Sequence, residues 1–457
     1  MLARTRGLFR KAWTDIAQKA RDVVGAAPRP DLPEDDAQRL LIKMQDCIAA
    51  RGGEVSARAR AADLGAIYLG LEAKGRARFL RLVAENFACE AGSIEMAAEY
   101  WLDTKGKEAA DRLAAEARLR ASLEPPWRAL LTQFNALPQG VKFLVDLRAD
   151  LMALPDKDEP ILAALDADLR ALLGGWFDVG FLELRRIGWD APAALLEKLI
   201  RYESVHAISS WTDLKNRLDS DRRCYAFFHP RMPDEPLIFV EVALVKGIAD
   251  NVQALLDESA PAGDPASADT AIFYSISNCQ RGLAGISFGG FLIKRVADQI
   301  LRDLPKIDTF ATLSPIPGFG AWLRRRMDSG LKLDPKEEKS LGEGGLAAAL
   351  ADPDWPGNEG KAFVLKPILL KLCAGYLLNS RHEGRAADRV AHFHLSNGAR
   401  VERLNWLADL SPNGMRQSFG LMVNYRYKLE EIESNHEAYS GSGRVAATAA
   451  LKGLVGR

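Results

Sequence analysis

Between about Asp36 and Gly174, apolar residues recur three and four positions apart, which is the period of helices that bury one face. DAQRLLIKMQDCIAA (36–50), KEAADRLAAEARLRASL (107–123) and EPILAALDADLRALL (159–173) carry the pattern most clearly. Strong helix formers fill these segments, and Pro125, Pro126, Pro138 and Pro155 punctuate the turns. No fixed repeat length emerges, so the pattern predicts a helical bundle rather than a solenoid. Residues 1–173 are therefore read as a helical N-terminal domain, a scaffold that also supplies oligomer contacts, with a seam at Gly174-Gly175.

Beyond the seam the pattern changes. DAPAALLEKLIRYESVHAI is still helical, but CYAFFHP (224–230) and EPLIFVEVALVKGI (235–248) are rich in β-branched and aromatic residues. Pro233-Asp-Glu-Pro236 between them predicts a hairpin turn. Strands are expected at AIFYSIS (271–277), DTFATLS (308–314), RVAHFHLSN and GLMVNYRYKL, with helices at FLIKRVADQILRDL (291–304) and PILLKLCAGYLL (367–378). This order predicts an α/β second domain, 174–457, built on one mixed sheet.

Composition narrows the class. The 457 residues are 48% hydrophobic and 27% charged, which suits a folded chain with a large core. Sixty-one Lys+Arg balance sixty-one Asp+Glu, so the basic excess of a nucleic-acid binder is missing. With no uninterrupted apolar run near ~18 residues, no membrane span is expected. The five cysteines are scattered and odd in number, and are read as reduced, buried thiols. His392 and His394, two apart, would share a face on a strand, but no neighbouring ligand pattern such as HExxH accompanies them, so no metal is expected. The basic start, MLARTRGLFRKAWTDIAQKARDVV, resembles a transit peptide weakly and a signal peptide not at all, and reads rather as an amphipathic leading helix; the end, Gly453 to Arg457, is not an SKL-type address.

Four places could carry chemistry. The connection Gln280 to Gly290 joins a strand to a helix, and its glycines and free N–H groups suit a pyrophosphate. Inside it, Gly285-Ile286-Ser287-Phe288-Gly289 matches the G-x-S-x-G nucleophile elbow, though about nine residues separate the strand from the serine. Ser314 opens Ser-Pro-Ile-Pro-Gly at a strand end, where it either faces a ligand or caps the next helix. His394 and His392 cannot be ranked by pattern alone.

The blocks FYSISNCQRGLAGISFGGFLIKRV, FATLSPIPGF, VAHFHLSNGA, RLNWLADLS and GLMVNYRYKLEE, in this order from Phe273 to Glu431, resemble malonyl-CoA decarboxylase. The resemblance implies an all-helical N-terminal domain (1–173) and a catalytic, acyl-CoA-binding domain (174–457) resembling the acetyl-CoA-dependent N-acetyltransferase (GNAT) fold. It implies that Ser314 and His394 form the catalytic pair, and that Ala284, Gly285, Ile286, Ser287, Phe288, Gly289 and Gly290 line the coenzyme A site. Tyr427 is implied to sit near the reacting group, so that Ser314, His394 and Tyr427 join the loop in holding substrate. Some relatives carry a glutamate where this chain has Ser287, so that carboxylate is not essential here unless another residue replaces it.

The implied reaction takes malonyl-CoA to acetyl-CoA and CO2 through a thioester enolate. The thioester carbonyl is the electron sink, so the expected cofactors are none, with neither a metal nor pyridoxal phosphate. His394 is expected to donate the proton, with a pKa near operating pH. Ser314 would bind the carboxylate or relay a proton. The positive potential for coenzyme A is expected from local residues such as Arg281, Lys294 and Arg295. Family members form dimers and tetramers, so a homo-oligomer is implied, with no nucleic-acid or membrane partner. The missing peroxisomal terminus leaves a cytoplasmic, bacterial-type enzyme as the expectation. The alternatives are an N-acyltransferase on the same cradle, a non-catalytic acyl-CoA sensor, and a serine hydrolase acting through Ser287.

Overall fold

The structure, a computed structural model, describes residues 10–17, 28–49, 53–177, 179–286 and 292–456. It divides into two compact units: one runs through Phe181 and includes His229–Pro233 and Gln280–Ser287, and the other holds the remainder.

The first unit is helical. A helical segment at 10–17 is followed by helices Glu34–Ile48, Gly53–Gly70, Ala73–Asn86, Ala91–Leu102, Ala109–Ser122, Trp127–Asn135, Gly140–Met152 and Pro160–Trp176. The three segments with the clearest apolar period all form helices. In Pro160–Trp176 the buried positions follow the period, with Leu162, Leu165, Leu169 and Leu173 in one stripe, whereas Ala109–Ser122 buries only Ala115. Gly174 and Gly175 lie in the last turn of that helix, so the expected seam is helix rather than linker. Aromatic packing closes the core, with Phe143 at 4.8 Å from both Trp13 and Phe134 and at 5.5 Å from Tyr68.

The second unit carries an eight-stranded mixed sheet. Its strands are β1 (Glu183–Ile187), β2 (Arg222–His229), β3 (Met232–Val245), β4 (Thr270–Asn278), β5 (Thr309–Thr312), β6 (Ser314–Pro315), β9 (Arg400–Asn405) and β10 (Met422–Tyr427), while β7 (Arg381–His382) and β8 (Arg385–Ala386) form a separate ribbon. The order is β1-β2-β3-β4-β5-β10-β6, with β9 pairing β10. β4 and β5 are parallel, with helix Leu292–Asp303 between them in sequence, and β10 is antiparallel to β5, β6 and β9. The hairpin turn falls at Pro230-Arg231, and Pro233 to Pro236 belong to β3.

One expected strand is a helix. Arg389–Ser396 is α-helical, and the strand begins only at Arg400. Asp388 explains the outcome: its carboxylate accepts from the N–H groups of Val390 and Ala391, a strong N-cap that commits the following turn. Ala391, His394 and Leu395 are its buried positions, spaced three and four apart. Helix Glu359–Asn379 is, at 21 residues, long and apolar enough to cross a membrane by length and composition, which the count of uninterrupted apolar residues had not registered. It carries Lys361, Lys366 and Lys371 and packs Leu365, Ile368, Leu369 and Cys373 into the core. The five cysteines are unpaired, with Cys47, Cys224, Cys279 and Cys373 buried.

Candidate active site

β5 and β6 deliver Ser314. Phe310 lies opposite Tyr427 and Ser314 opposite Val423, so both side chains come from neighbouring strands. The helix Arg389–Ser396 then places His394 against them. Ser314 Oγ lies 3.1 Å from His394 Nε2, and His394 Nδ1 lies 2.7 Å from the Tyr427 hydroxyl. Ser314 Oγ also donates to Thr312 Oγ1 at 2.8 Å, and Thr312 Oγ1 accepts the backbone N–H of Tyr425 at 3.1 Å. The four side chains form one chain of hydrogen bonds from Tyr427 to Thr312.

This chain is dry. Ser314 is 5% exposed, His394 and Tyr427 2% each, and Thr312 is fully buried. Burial pushes the His394 imidazole down to about 3, so the ring is neutral at neutral pH rather than poised near operating pH. Burial also pushes the Tyr427 phenol well above its usual value, so it stays protonated. These facts select a tautomer: Tyr427 O–H donates to Nδ1, and Nε2–H donates to Ser314 Oγ, whose own proton goes to Thr312.

Ser314 and His394 open onto a pocket of about 380 Å³. Phe273, Tyr274, Ile276 and Asn278 of β4 line one wall, while Arg389, Asp409, Asn413 and Gln417 add polar groups. Glu203 builds the neighbouring wall: its carboxylate accepts the N–H groups of Val205 and His206 at 2.8 Å each and the hydroxyls of Ser275 at 2.7 Å and Ser277 at 3.1 Å. Ser204 and Val205 line the pocket from that wall.

His392 is not part of the site. Two residues apart on a helix point roughly opposite ways, and His392 Nδ1 bonds the Tyr439 hydroxyl at 2.9 Å instead. Of the two histidines, His394 is the one that lines the pocket beside Ser314. Thr312, Asp388 and Tyr425 belong to no motif that marks them in the sequence. Tyr425 could have been found from the alternation in Met422–Tyr427, which puts it on the same face as Tyr427.

The glycine-rich loop begins in the first unit. Arg281–Leu283 is a tight turn, and Arg148 Nη1 donates to the carbonyls of Gly282 at 2.7 Å and Ala284 at 2.9 Å. Asp166 Oδ1 holds the same guanidinium at 2.8 Å from Nε. Gly285 has φ +75°, a conformation that suits glycine, and Ala284 and Gly285 are exposed. Ile286 N–H closes the turn on Leu283 O at 3.1 Å. Ser287, Phe288, Gly289 and Gly290 lie outside the described residues, and with them the G-x-S-x-G reading. The cations expected to greet coenzyme A are partly engaged: Lys294 pairs with Glu433 at 3.1 Å, and Arg295 donates to Leu182 O at 3.0 Å and covers the Phe227 ring.

Comparison with known proteins finds relatives over most of the chain. The model of the "Malonyl-CoA decarboxylase C-terminal domain" matches residues 180–457, and that of the "Malonyl-CoA decarboxylase N-terminal domain" matches residues 87–177. A curated malonyl-CoA decarboxylase of Anser anser anser is 38% identical over 411 residues, covering 85% of this chain and 82% of its own. Its counterpart in Rattus norvegicus is 38% identical over 421 residues, covering 87% of this chain and 86% of its own. The crystal structure of malonyl-CoA decarboxylase from Rhodopseudomonas palustris, 44% identical, covers 91% of this chain and 99% of its own with a TM-score of 0.84. The goose and rat proteins are both named mitochondrial, which overturns the cytoplasmic expectation drawn from the missing peroxisomal terminus.

Proposed function

The chain belongs to the malonyl-CoA decarboxylase family, and from that premise we propose that Ser314, His394 and Tyr427 act as one proton-delivering chain in the removal of CO2 from malonyl-CoA. The observation that carries the reading is the unbroken series Tyr427, His394, Ser314, Thr312 at the wall of a pocket.

Loss of CO2 leaves an enolate, with the electron pair spread over C2 and the thioester oxygen. A thioester enolate is a strong carbon base, able to take a proton from a neutral hydroxyl, so no imidazolium is required. Ser314 swings its proton from Thr312 to C2 and is reprotonated by His394 Nε2–H, while Nδ1 takes the Tyr427 proton. After acetyl-CoA leaves, water in the pocket gives one proton to Ser314, whose own proton passes to His394 Nε2 while Nδ1 returns its proton to Tyr427, restoring the starting state. The thioester carbonyl accepts the electron pair, so the proposed chemistry calls on no metal or organic cofactor. Hydrogen bonds aimed at the developing oxyanion are typically worth about 3–4 kcal/mol each, and general acid help about 10²–10⁴-fold.

The loop 284–290 is proposed to hold the coenzyme A pyrophosphate, supported by the left-handed Gly285 and the exposed backbone of Ala284 and Gly285. The finer fold assignment, a sheet of the acetyl-CoA-dependent N-acetyltransferase type, is part of the same proposal. Its support is the parallel β4–β5 pair, with pocket residues at the carboxyl-terminal end of β4 and Ser314 just past β5. A homo-oligomer is proposed as well. Helices Ala91–Leu102 and Ala109–Ser122 bury only Ala97 and Ala115 while exposing Met96, Tyr100, Leu102 and Leu113, an apolar surface suited to a second copy.

Turnover of malonyl-CoA with no amine acceptor tests the reading. Acetyl-CoA and CO2 are expected in equal amounts, with Ser314→Ala and His394→Asn each lowering kcat by 10²-fold or more. An absolute need for an amine would favour an acyltransferase, and undiminished turnover in both variants would remove the pair from the chemistry.

A further inference from the structure

Ser314 and His394 come from elements eighty residues apart in sequence, yet their reacting atoms must stay within hydrogen-bond reach. One side chain outside the hydrogen-bonded series touches the backbone of both elements. Asp388 Oδ1 accepts from Val390 N at 2.9 Å and Ala391 N at 3.1 Å, at the start of the helix that carries His394. Its other oxygen, Oδ2, accepts from Gly318 N at 2.9 Å, in the Ser314-Pro-Ile-Pro-Gly318 segment that carries the serine. The carboxylate is 2% exposed, so water does not compete for either contact.

The surroundings show that this contact is tightly fitted. A Cβ added to Gly318 would lie 2.1 Å from the Tyr376 hydroxyl and 3.1 Å from Asp388 Oδ2. Glycine is therefore the residue that lets the serine-bearing segment approach the carboxylate. Ile316, between Ser314 and Gly318, is fully buried, which leaves the segment little freedom to take up slack. A cap alone would need one carboxylate oxygen. The second oxygen is committed to the opposite element.

We infer that Asp388 is a positioning residue for decarboxylation, a two-armed clamp that sets the distance between Ser314 and His394. This rests on the reading of those two residues as the proton-delivering pair. A shift of about 1 Å between reacting groups commonly costs about 10²-fold in rate. The clamp acts on the geometry of the pair and not on the hold on coenzyme A, so kcat is the parameter it governs.

Asp388→Ser separates the two arms. Serine caps helices nearly as well as aspartate, so the bonds to Val390 and Ala391 can be replaced, but its short hydroxyl cannot also reach Gly318. The full-length variant is expected to lose at least tenfold in kcat with KM for malonyl-CoA within threefold and the melting temperature nearly kept. Its His394 ¹⁵N resonances are expected to move from a single Nε2–H tautomer towards a mixture. Gly318→Ala, which crowds the clamp from the loop side, is expected to give the same loss in kcat, and it serves if the serine variant does not fold. Either variant folded with kcat within twofold of the parent, while Ser314→Ala beside it is inactive, overturns the clamp and leaves the pair standing. If Ser314→Ala and His394→Asn are themselves active, the pair reading fails instead.

Discussion

The imidazole of His394 lies against the ring of Tyr425, with centroids 4.5 Å apart and planes 23° from parallel. The stack fixes the imidazole plane, so Nδ1 meets Tyr427 while Nε2 meets Ser314. Tyr425 does this with its ring alone: its hydroxyl is buried and has no hydrogen-bond partner among the described residues. Tyr425→Phe is therefore expected to keep kcat within about twofold and to gain about 1 kcal/mol or more in chemical denaturation, because an unsatisfied buried hydroxyl is removed. Tyr425→Leu, which loses the stack, is expected to lower kcat about tenfold. A phenylalanine variant as damaged as the leucine one would give the hydroxyl a role the packing does not.

Tyr427 contributes through its hydroxyl, 2.7 Å from Nδ1. Tyr427→Phe keeps the ring but withdraws the donor that selects the Nε2–H tautomer. A fall in kcat of about 10–100-fold is expected, with KM little changed. ¹⁵N resonances of His394 should reveal both tautomers in the variant and one in the parent.

The neutral, buried state of His394 carries a pH signature. Its folded value, about 3, lies below the ordinary histidine value near 6.5, so the folded state resists the proton. The associated stability is fully present above pH 6.5 and is lost as pH falls from there towards 3, by up to about 1.4 kcal/mol per pH unit. Burial pushes His206 and His392 the same way, so the parent loses stability through several groups at once. Denaturation of the parent and His394→Asn between pH 7 and 4 isolates the term: the variant is expected to take up about one proton fewer on unfolding. Activity, by contrast, should be flat between pH 6.5 and 8, since neither His394 nor Tyr427 titrates there. A kcat profile with a step near 6.5 would mean that an imidazolium acts.

Helix Pro160–Trp176 and the main strands of the second unit were legible because they bury residues on their own period, as Leu162, Leu165, Leu169 and Leu173 do, while Ala109–Ser122 was legible from its helix formers although it buries only Ala115. The segment around His394 was not. Val390, Phe393 and their neighbours have strand-like composition, and the deciding feature is the pair of hydrogen bonds that the Asp388 carboxylate accepts from Val390 and Ala391 N–H, which composition does not register. The pairing of Ser314 with His394 rested on family resemblance, because eighty residues, with four α-helices and the separate β7–β8 ribbon, lie between them. The pKa expectation for His394 failed because burial, which governs it, belongs to tertiary structure.

Arg148 offers a test of the loop that leaves the proton chain untouched. Its guanidinium fastens the carbonyls of Gly282 and Ala284, immediately before Gly285, and is itself oriented by Asp166. A Cβ on Gly282 would lie 1.8 Å from Val145 O, so this turn is seated directly on the backbone of helix Gly140–Met152. Arg148→Met keeps the bulk of the side chain but leaves the two carbonyls without their donor, at a cost of about 1–3 kcal/mol in stability. If residues 284–290 hold coenzyme A, a loosened loop weakens binding of the whole acyl-CoA while the thioester chemistry proceeds as before. KM for malonyl-CoA is then expected to rise about tenfold with kcat within threefold, and the inhibition constant of free coenzyme A should rise in step. A variant that binds coenzyme A normally, yet is slow, would detach the loop from the cofactor-like half of the substrate and tie it to the reacting end.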